Sequence, residues 1–289
     1  MKIYDPKTDK FPYTEYTDQH YLKIKKNNGM VLDKNYPYVD KSKGFLFKQF
    51  LVRCLLVLFV FLLARIRLGL KIEGRKNLRI HKEEIKKGII SCCNHVHMWD
   101  FIGILRGIFP KKPYVLVWGN NVRSENATLV RMVGGIPVPE DDLQATVTYY
   151  TQVKELLNSG GWLHIYPEGS MWEYYQPIRP FKRGAAYLAT RLDKPILPLA
   201  YSYRKPGWIR RKIFKQIALY TLHIGEPIYA NKSLPKDEQE QDLVIRSHRA
   251  VCELAGIDPD KNIYPPVFDH SKRIDYYTDK YGVGYKGSK

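Results

Sequence analysis

The segment Asn94–Asp100, NHVHMWD, sets His95 and Asp100 five positions apart. A strand-to-helix turn over that span brings the two side chains together. The carboxylate then holds one imidazole nitrogen and leaves the other to accept a proton, which is the arrangement of a general base. The block itself holds no serine or cysteine. The chemistry it suits is direct deprotonation of a substrate hydroxyl, although spacing of this kind also arises by chance.

Three further blocks carry less by themselves. Tyr166–Trp172, YPEGSMW, places Pro-Glu-Gly at the end of a strand. Such a turn presents a carboxylate and accessible amides, and Glu168 there can bind the hydroxyls of a polyol; an ordinary turn reads the same. Phe181-Lys182-Arg183-Gly184 sets two cations at the opening of a helix. Helix N-terminal amides with Lys and Arg suit a phosphate, and a solvated helix start has the same letters. Pro195–Leu199 reads as a buried strand with little chemistry of its own.

In this order the blocks resemble the glycerolipid acyltransferase family, of the 1-acylglycerol-3-phosphate acyltransferase type, over roughly residues 70–230. The family's first block is Asn-His, four residues, then Asp, met by Asn94, His95 and Asp100. Its Gly-x-(Ile/Phe)-(Pro/Phe)-Val block is answered by Gly134-Gly135-Ile136-Pro137-Val138, and its (Phe/Tyr)-Pro-Glu-Gly-(Thr/Ser) block by Tyr166–Ser170. Phe-Lys-x-Gly and a proline-containing strand follow at 181–184 and 195–199.

The resemblance implies transfer of a fatty acyl group from a thioester to the free hydroxyl of a lysoglycerolipid. The thioester is acyl-CoA or acyl carrier protein, the latter a possible protein partner, and no other cofactor or metal is implied. The expected acceptor is 1-acylglycerol-3-phosphate, giving phosphatidate. His95 would be the base, Asp100 would orient it and stabilise the imidazolium, and nearby amides would hold the oxyanion. Glu168, Gly169 and Ser170 would bind the acceptor, and Lys182 and Arg183 its phosphate.

Two positions depart from the pattern. Glu140 and Met171 stand where the family often has arginines associated with the acceptor phosphate, so Arg131 and Arg179 become candidate substitutes. His97 stands where the family usually has a small polar residue. Two alternatives follow: an acceptor without phosphate, or a non-catalytic lipid-binding protein of the membrane surface. The intact His95–Asp100 pair argues against the second.

The elements that must position these blocks alternate. Apolar runs at Gly88–Cys93, Tyr114–Trp118, Trp162–Tyr166, Ile196–Tyr201 and Gln216–Ile224 read as strands. Helices are expected at His81–Lys87, Phe101–Phe109, Leu143–Leu157, Gly184–Leu192 and Lys236–Ala255. The fold expected is α/β, a mixed, mostly central sheet flanked by helices. The alternation of Ile66, Leu68, Leu70 and Ile72 with polar residues predicts a first strand there. Four divisions follow: a polar extension 1–44, a membrane-associating helix and first strand 45–72, an acyltransferase domain 73–256 and a C-terminal surface tail 257–289.

The chain has 289 residues and a net charge of +18. Residues 45–87 contribute +8 and residues 204–215 contribute +6, while the long middle from 88 to 203 is near neutral at +2. In the first segment the charges flank grease, FLFKQFLVRCLLVLFVFLLA at 45–64. Only Cys54–Ala64 is free of charge, about 16 Å of helix against a bilayer core of about 30 Å. An interfacial or half-inserted helix is expected, with Lys48, Arg53, Arg65 and Arg67 among head groups; a core helix and a full span are the alternatives. The second segment mixes Trp208, Ile209, Ile213 and Phe214 with Arg210, Arg211 and Lys212. It suits a membrane interface or a solvated hairpin. No recognition helix, finger or RNA-binding signature accompanies either patch, which sets nucleic acid aside.

The expected location is the cytoplasmic face of the cell membrane. The first ten residues lack the apolar core of a secretory signal. Four cysteines make no disulfide scaffold. Cys92 and Cys93, adjacent on a strand, must face opposite ways, so zinc with His95 and His97 is disfavoured.

Overall fold

The computed structural model describes residues 27–140, 142–262 and 272–274. Most of the expected extension and tail lies outside these residues. What is described of both ends packs onto the body. Leu32, Tyr36, Tyr38 and Val39 are buried in one core layer, and Arg273 and Ile274 are also buried, so this part of the tail is not a surface feature.

One uninterrupted helix opens the body, built from α1 (Lys43–Leu55), a π-helical stretch (Leu56–Val60) and α2 (Phe61–Arg67). The π stretch sits mid-helix, where five-residue spacing widens one turn. The strand expected from Ile66 to Ile72 shortens to β1 (Lys71–Glu73). The helix instead continues through Arg67 and stops when Gly69 takes a φ of +57°. Ile66 therefore belongs to a helix face, and its alternation with Leu68 is coincidental.

The rest alternates largely as read: α3 (Arg75–Ile80), α4 (Lys82–Lys86), β2 (Ile89–Cys92), α5 (Asp100–Gly107), β3 (Pro113–Val117), α6 (Ala127–Met132), β4 (Gly135–Pro137) and α7 (Leu143–Asn158). Then come β5 (Trp162–Ile165), α8 (Gly184–Leu192), β6 (Ile196–Arg204), α9 (Trp208–Lys212), β7 (Leu219–Ile224) and α10 (Lys236–Leu254). α7 starts where Asp142 accepts hydrogen bonds from the amides of Gln144 and Ala145 at 2.8 and 3.3 Å, an N-cap. Sequence reading places no element over α6, α9 or β4, each too short to show a period.

The strands form one seven-stranded sheet in the order β1-β7-β6-β2-β5-β3-β4. All neighbours are parallel except β6 and β7, which form an antiparallel hairpin around α9. β2 and β5 lie in the middle and are buried at every residue, as parallel strands covered on both faces must be. Side chains alternate between two core layers. Ile90, Cys92, Leu163 and Ile165 meet α7, α8 and α10 on one face. Ile89, Cys93, Trp162 and Leu197 meet α5 and Ala64 of α2 on the other. The two adjacent cysteines therefore do point apart. All the motif blocks that follow β2, β4 and β5 emerge at the carboxyl edge of the parallel strands, where open α/β sheets place their sites.

The opening helix spans 25 residues, about 37 Å, and is the one described helix long and apolar enough to cross a membrane. One side of it is docked. Leu56 packs with Leu105 and Val133, and Ala64 joins the second core layer. Its other side exposes Phe47, Phe50, Leu51, Leu55, Leu58, Phe59, Leu62 and Leu63.

Candidate active site

β2 ends in Asn94, whose side chain replaces a missing ladder. Its Nδ2 donates to the Tyr201 carbonyl at 3.0 Å and its Oδ1 accepts from the Tyr201 amide at 2.7 Å. This fixes the strand end against β6, so the next residue, His95, leaves the sheet in one defined direction. The loop 95–99 then wraps around the carboxylate at the start of α5. Asp100 Oδ2 accepts from His95 Nδ1 at 2.8 Å, from the Val96 amide at 3.0 Å and from the His97 amide at 3.3 Å. Asp100 Oδ1 accepts from the Tyr166 hydroxyl at 2.7 Å.

Burial alone would push the Asp100 carboxyl up. The His95 charge and the hydrogen bonds from His95, Tyr166 and Val96 outweigh it and hold the group below its ordinary value. An ionised Asp100 fixes the tautomer of His95. In the neutral imidazole, Nδ1 then carries the proton donated to Asp100 and Nε2 is the acceptor. The α5 helix approaches closely enough that a Cβ at Gly103 would lie 1.9 Å from the Tyr201 hydroxyl, which donates to the Asp100 carbonyl. Only glycine fits there.

The third block is tied directly to the first. Glu168 Oε1 accepts from the His95 amide at 2.9 Å, and Oε2 accepts from Arg179 Nε at 2.8 Å. Arg179 also donates to the Ser170 hydroxyl at 2.9 Å and to the Ser170 carbonyl, and lies 4.4 Å over the Trp172 ring. Arg179 is 1% exposed and Glu168 is 5% exposed. Glu168, Ser170 and Arg179 face inward as a buried, hydrogen-bonded ion pair and its partner. Their polar atoms meet one another and, through Glu168, the His95 amide.

Arg131 is likewise committed elsewhere. It donates to the carbonyls of Pro37 and Tyr38 and lies over the rings of Tyr36 and Phe45, which anchors the N-terminal segment. Met171 is buried. Of the expected phosphate contacts, Lys182 and Arg183 remain exposed at the opening of α8. Gly169 takes a φ of +83°, and a Cβ there would meet Lys182 Cε at 2.8 Å, so this turn requires glycine and seats the lysine on it.

A cavity of about 620 Å³ opens between the carboxyl ends of β3 and β5 and the helices α7 and α8. Leu116, Val147, Ile165 and Leu188 give it apolar walls, while Glu140, Gly169 and Lys182 supply polar groups. Tyr166 lines it too, and the same ring stacks on His95 with centroids 4.0 Å apart. Glu140 lies 3.6 Å from Arg123. Sequence reading assigns no role to Tyr166 or to Trp172, because a hydroxyl or a ring within a motif carries no sign of which neighbour it will meet.

Two other histidines flank the pair. Burial pushes His97 down to about 4 and His164 down to about 3 from the ordinary 6.5. His97 accepts the Trp99 amide on Nδ1 and has Glu173 3.4 Å from Nε2. His164 meets Ser91 Oγ at 2.8 Å beneath the site.

The basic patches divide in two. Lys48 is exposed, and Trp208 is 68% exposed beside Ile209, Ile213 and Phe214. Arg53 instead turns inward to the Pro113 carbonyl and the Tyr114 ring, which corrects its expected place among head groups. Arg210 is also drawn inward, to the Ile66 carbonyl at 2.9 Å and to Gln216, and so pins the β6–β7 hairpin to the end of the opening helix.

Residues 69–202 match the family model described as Acyltransferase. The span begins just before β1 and takes in every block around His95, Asp100 and Glu168. The matched stretch is similar to that family, and the ordered motif blocks within it resemble the glycerolipid type. Among solved structures, the 1-acyl-sn-glycerophosphate (LPA) acyltransferase PlsC from Thermotoga maritima is similar, with 17% identity and a TM-score of 0.47 over 75% of this chain and 85% of that one.

Two outcomes are expected. Arg179→Met strands a buried Glu168 carboxylate and lowers unfolding free energy by about 3–5 kcal/mol in denaturant titration, and the added Glu168→Gln recovers part of the loss. Stability also falls with acid. Unfolded His97 and His164 take up protons below about pH 6.5 while the folded ones do not, so stability is full above that pH and declines toward pH 5. Each histidine adds a slope of up to about 1.4 kcal/mol per pH unit. A denaturation midpoint unchanged between pH 7 and 5 would contradict the burial of both.

Proposed function

We propose that the chain is an O-acyltransferase of the membrane surface. It moves a fatty acyl group from an acyl-CoA or acyl carrier protein thioester to the free hydroxyl of a lysoglycerolipid, with 1-acylglycerol-3-phosphate as acceptor and phosphatidate as product. The observation that carries the reading is the Asp100-held His95, stacked on a tyrosine that lines an apolar cavity.

In this reading Nε2 takes the proton of the acceptor hydroxyl as its oxygen attacks the thioester carbonyl. The tetrahedral intermediate collapses, the C–S bond breaks, and the leaving thiolate recovers the proton from the imidazolium. The buried Asp100 charge stabilises the imidazolium between the two transfers. The cavity has room and walls for acyl chain, and Lys182 and Arg183 are the cations available to a phosphate. A second reading, an acceptor without phosphate, is favoured by Glu140 in the cavity wall and by the burial of Arg179.

The exposed side of the opening helix and the hairpin tip are joined through Arg210 and Ile66, so their apolar residues make one continuous surface. We read it as the face that rests on an anionic membrane, cytoplasmic side, with the helix lying in the interface rather than crossing it. Its docked side, Leu56 and Ala64 against the body, supports that choice.

His95→Ala is expected to lower acyl transfer by about 10²–10⁴-fold with the fold intact by circular dichroism. Unchanged transfer would sink the mechanism. Assays over a panel of lyso-acceptors with and without phosphate separate the two acceptor readings, and Lys182→Ala raises KM for phosphate-bearing acceptors if the first holds. For the surface, Trp208→Ser with Phe214→Ser should release the protein from phosphatidylglycerol vesicles in flotation. Flotation indifferent to both changes and to lipid charge would remove the hairpin from the docking face.

A further inference from the structure

Tyr166, the residue after β5, touches both members of the His95–Asp100 pair. Its hydroxyl donates to Asp100 Oδ1 at 2.7 Å, while His95 Nδ1 uses the other oxygen at 2.8 Å. Its ring lies on the imidazole with centroids 4.0 Å apart and 17° between the planes. Behind it, His164 stands perpendicular at 4.6 Å. His164 is held by Ser91 Oγ at 2.8 Å, which in turn accepts from Trp162 Nε1 at 2.8 Å. The tyrosine is therefore gripped at its hydroxyl, one face and its edge, and it also forms part of the cavity wall.

We propose that Tyr166 is a positioning residue for proton transfer at His95: its hydroxyl shares the Asp100 charge, and its ring sets the plane of the imidazole beside the cavity. A carboxylate bonded at both oxygens cannot rotate about its terminal bond. An imidazole stacked on a fixed ring, with Nδ1 already committed, retains no freedom in its own plane, so Nε2 has one direction. Each constraint removes a motion that would otherwise have to be frozen in the transition state.

Among the described groups around it, the charge the tyrosine hydroxyl touches is that of Asp100. Burial keeps His97, on the same loop, and His164, on β5, neutral. It keeps Cys93 at the end of β2, Tyr201 on β6 and Tyr166 itself protonated. Glu168, below the His95 amide, is matched by Arg179. The Arg67 charge on α2 also disfavours protonation of His97.

Tyr166→Phe keeps the ring and deletes one donor. Asp100 then directs its full charge at His95 and favours the imidazolium. Activity appears as the imidazole loses its proton, so the acid limb of kcat/KM moves up by roughly half to one pH unit. kcat at neutral pH falls several-fold, and KM for the thioester is unchanged. Tyr166→Leu also removes the stack and lowers kcat further. A second readout needs no turnover: in histidine-labelled protein the Nδ1 proton resonance of His95 shifts downfield in Tyr166→Phe as its bond to Asp100 strengthens. A folded Tyr166→Phe protein with the parent pH profile and an unmoved resonance overturns the proposal. The kinetic arm rests on the acyl-transfer reading. A shifted resonance in protein that transfers no acyl group would sink that reading and leave the positioning role standing.

Discussion

The site depends on keeping one carboxylate charged where there is almost no water. Moving an isolated carboxylate into a protein interior costs several kcal/mol even after relaxation. Asp100 is 3% exposed, so every donor around it offsets part of that cost. Four donors converge on its two oxygens, and a fifth, the Tyr201 hydroxyl, takes its carbonyl. They come from the loop after β2, the residue after β5 and strand β6. The three strands must therefore end at matching heights, which the parallel register Ser91↔His164 and Ser91↔Leu197 provides. The Asn94 bridge to Tyr201 maintains that height where the ladder stops. The same convergence of donors holds His95 in place beside the charge.

A second buried charge couples the blocks. Glu168 receives the His95 amide on one oxygen and Arg179 on the other, so the Pro-Glu-Gly turn and the Asn-His turn form one unit. The loop that continues from it is stitched on both sides. Its Tyr174 amide meets the Val96 carbonyl, while Ile274 bonds to the Tyr174 carbonyl and the Gln176 amide to the Lys272 carbonyl. Asn262 brackets Ile178 through both its amide and its carbonyl. Movement of the third block would drag His95 with it, which makes the two turns mechanically inseparable.

The sequence made the α/β alternation legible because strands such as 89–92 and 162–165 are continuous apolar runs, and helices such as 143–158 repeat apolar residues at helical spacing. It also made the His95–Asp100 pair legible, since both members lie in one turn. The roles of Glu168, Ser170, Arg179 and Arg131 were not legible. Motif letters say that a charge is present and are silent on which way it points. Arg179 lies eleven positions from Glu168 with a loop between, and Arg131 reaches carbonyls of residues 37 and 38, which no periodicity links. The end of the opening helix was misread for a related reason. Apolar residues at 66, 68, 70 and 72 fit a strand by period, and the turn at Gly69 that breaks them is set by the close approach of Leu219.

The division of the cations follows from desolvation. A guanidinium already buried and bonded to a carboxylate and a carbonyl, as in Arg179, gains little from a phosphate and would lose its partners to reach one. An exposed cation at the opening of α8, such as Arg183, meets a phosphate oxygen at a smaller desolvation cost. Chemistry and recognition are thus assigned to different depths. The buried charges of Asp100 and of Glu168 with Arg179 fix geometry and are saturated. The exposed ones, Lys182 and Arg183, lie at the protein surface at the opening of α8. Glu140 in the cavity wall works against an anionic group at that point. Under the proposed acyl-transfer reading, a phosphate on the acceptor would meet Lys182 and Arg183, and the apolar walls would be left to hydrocarbon.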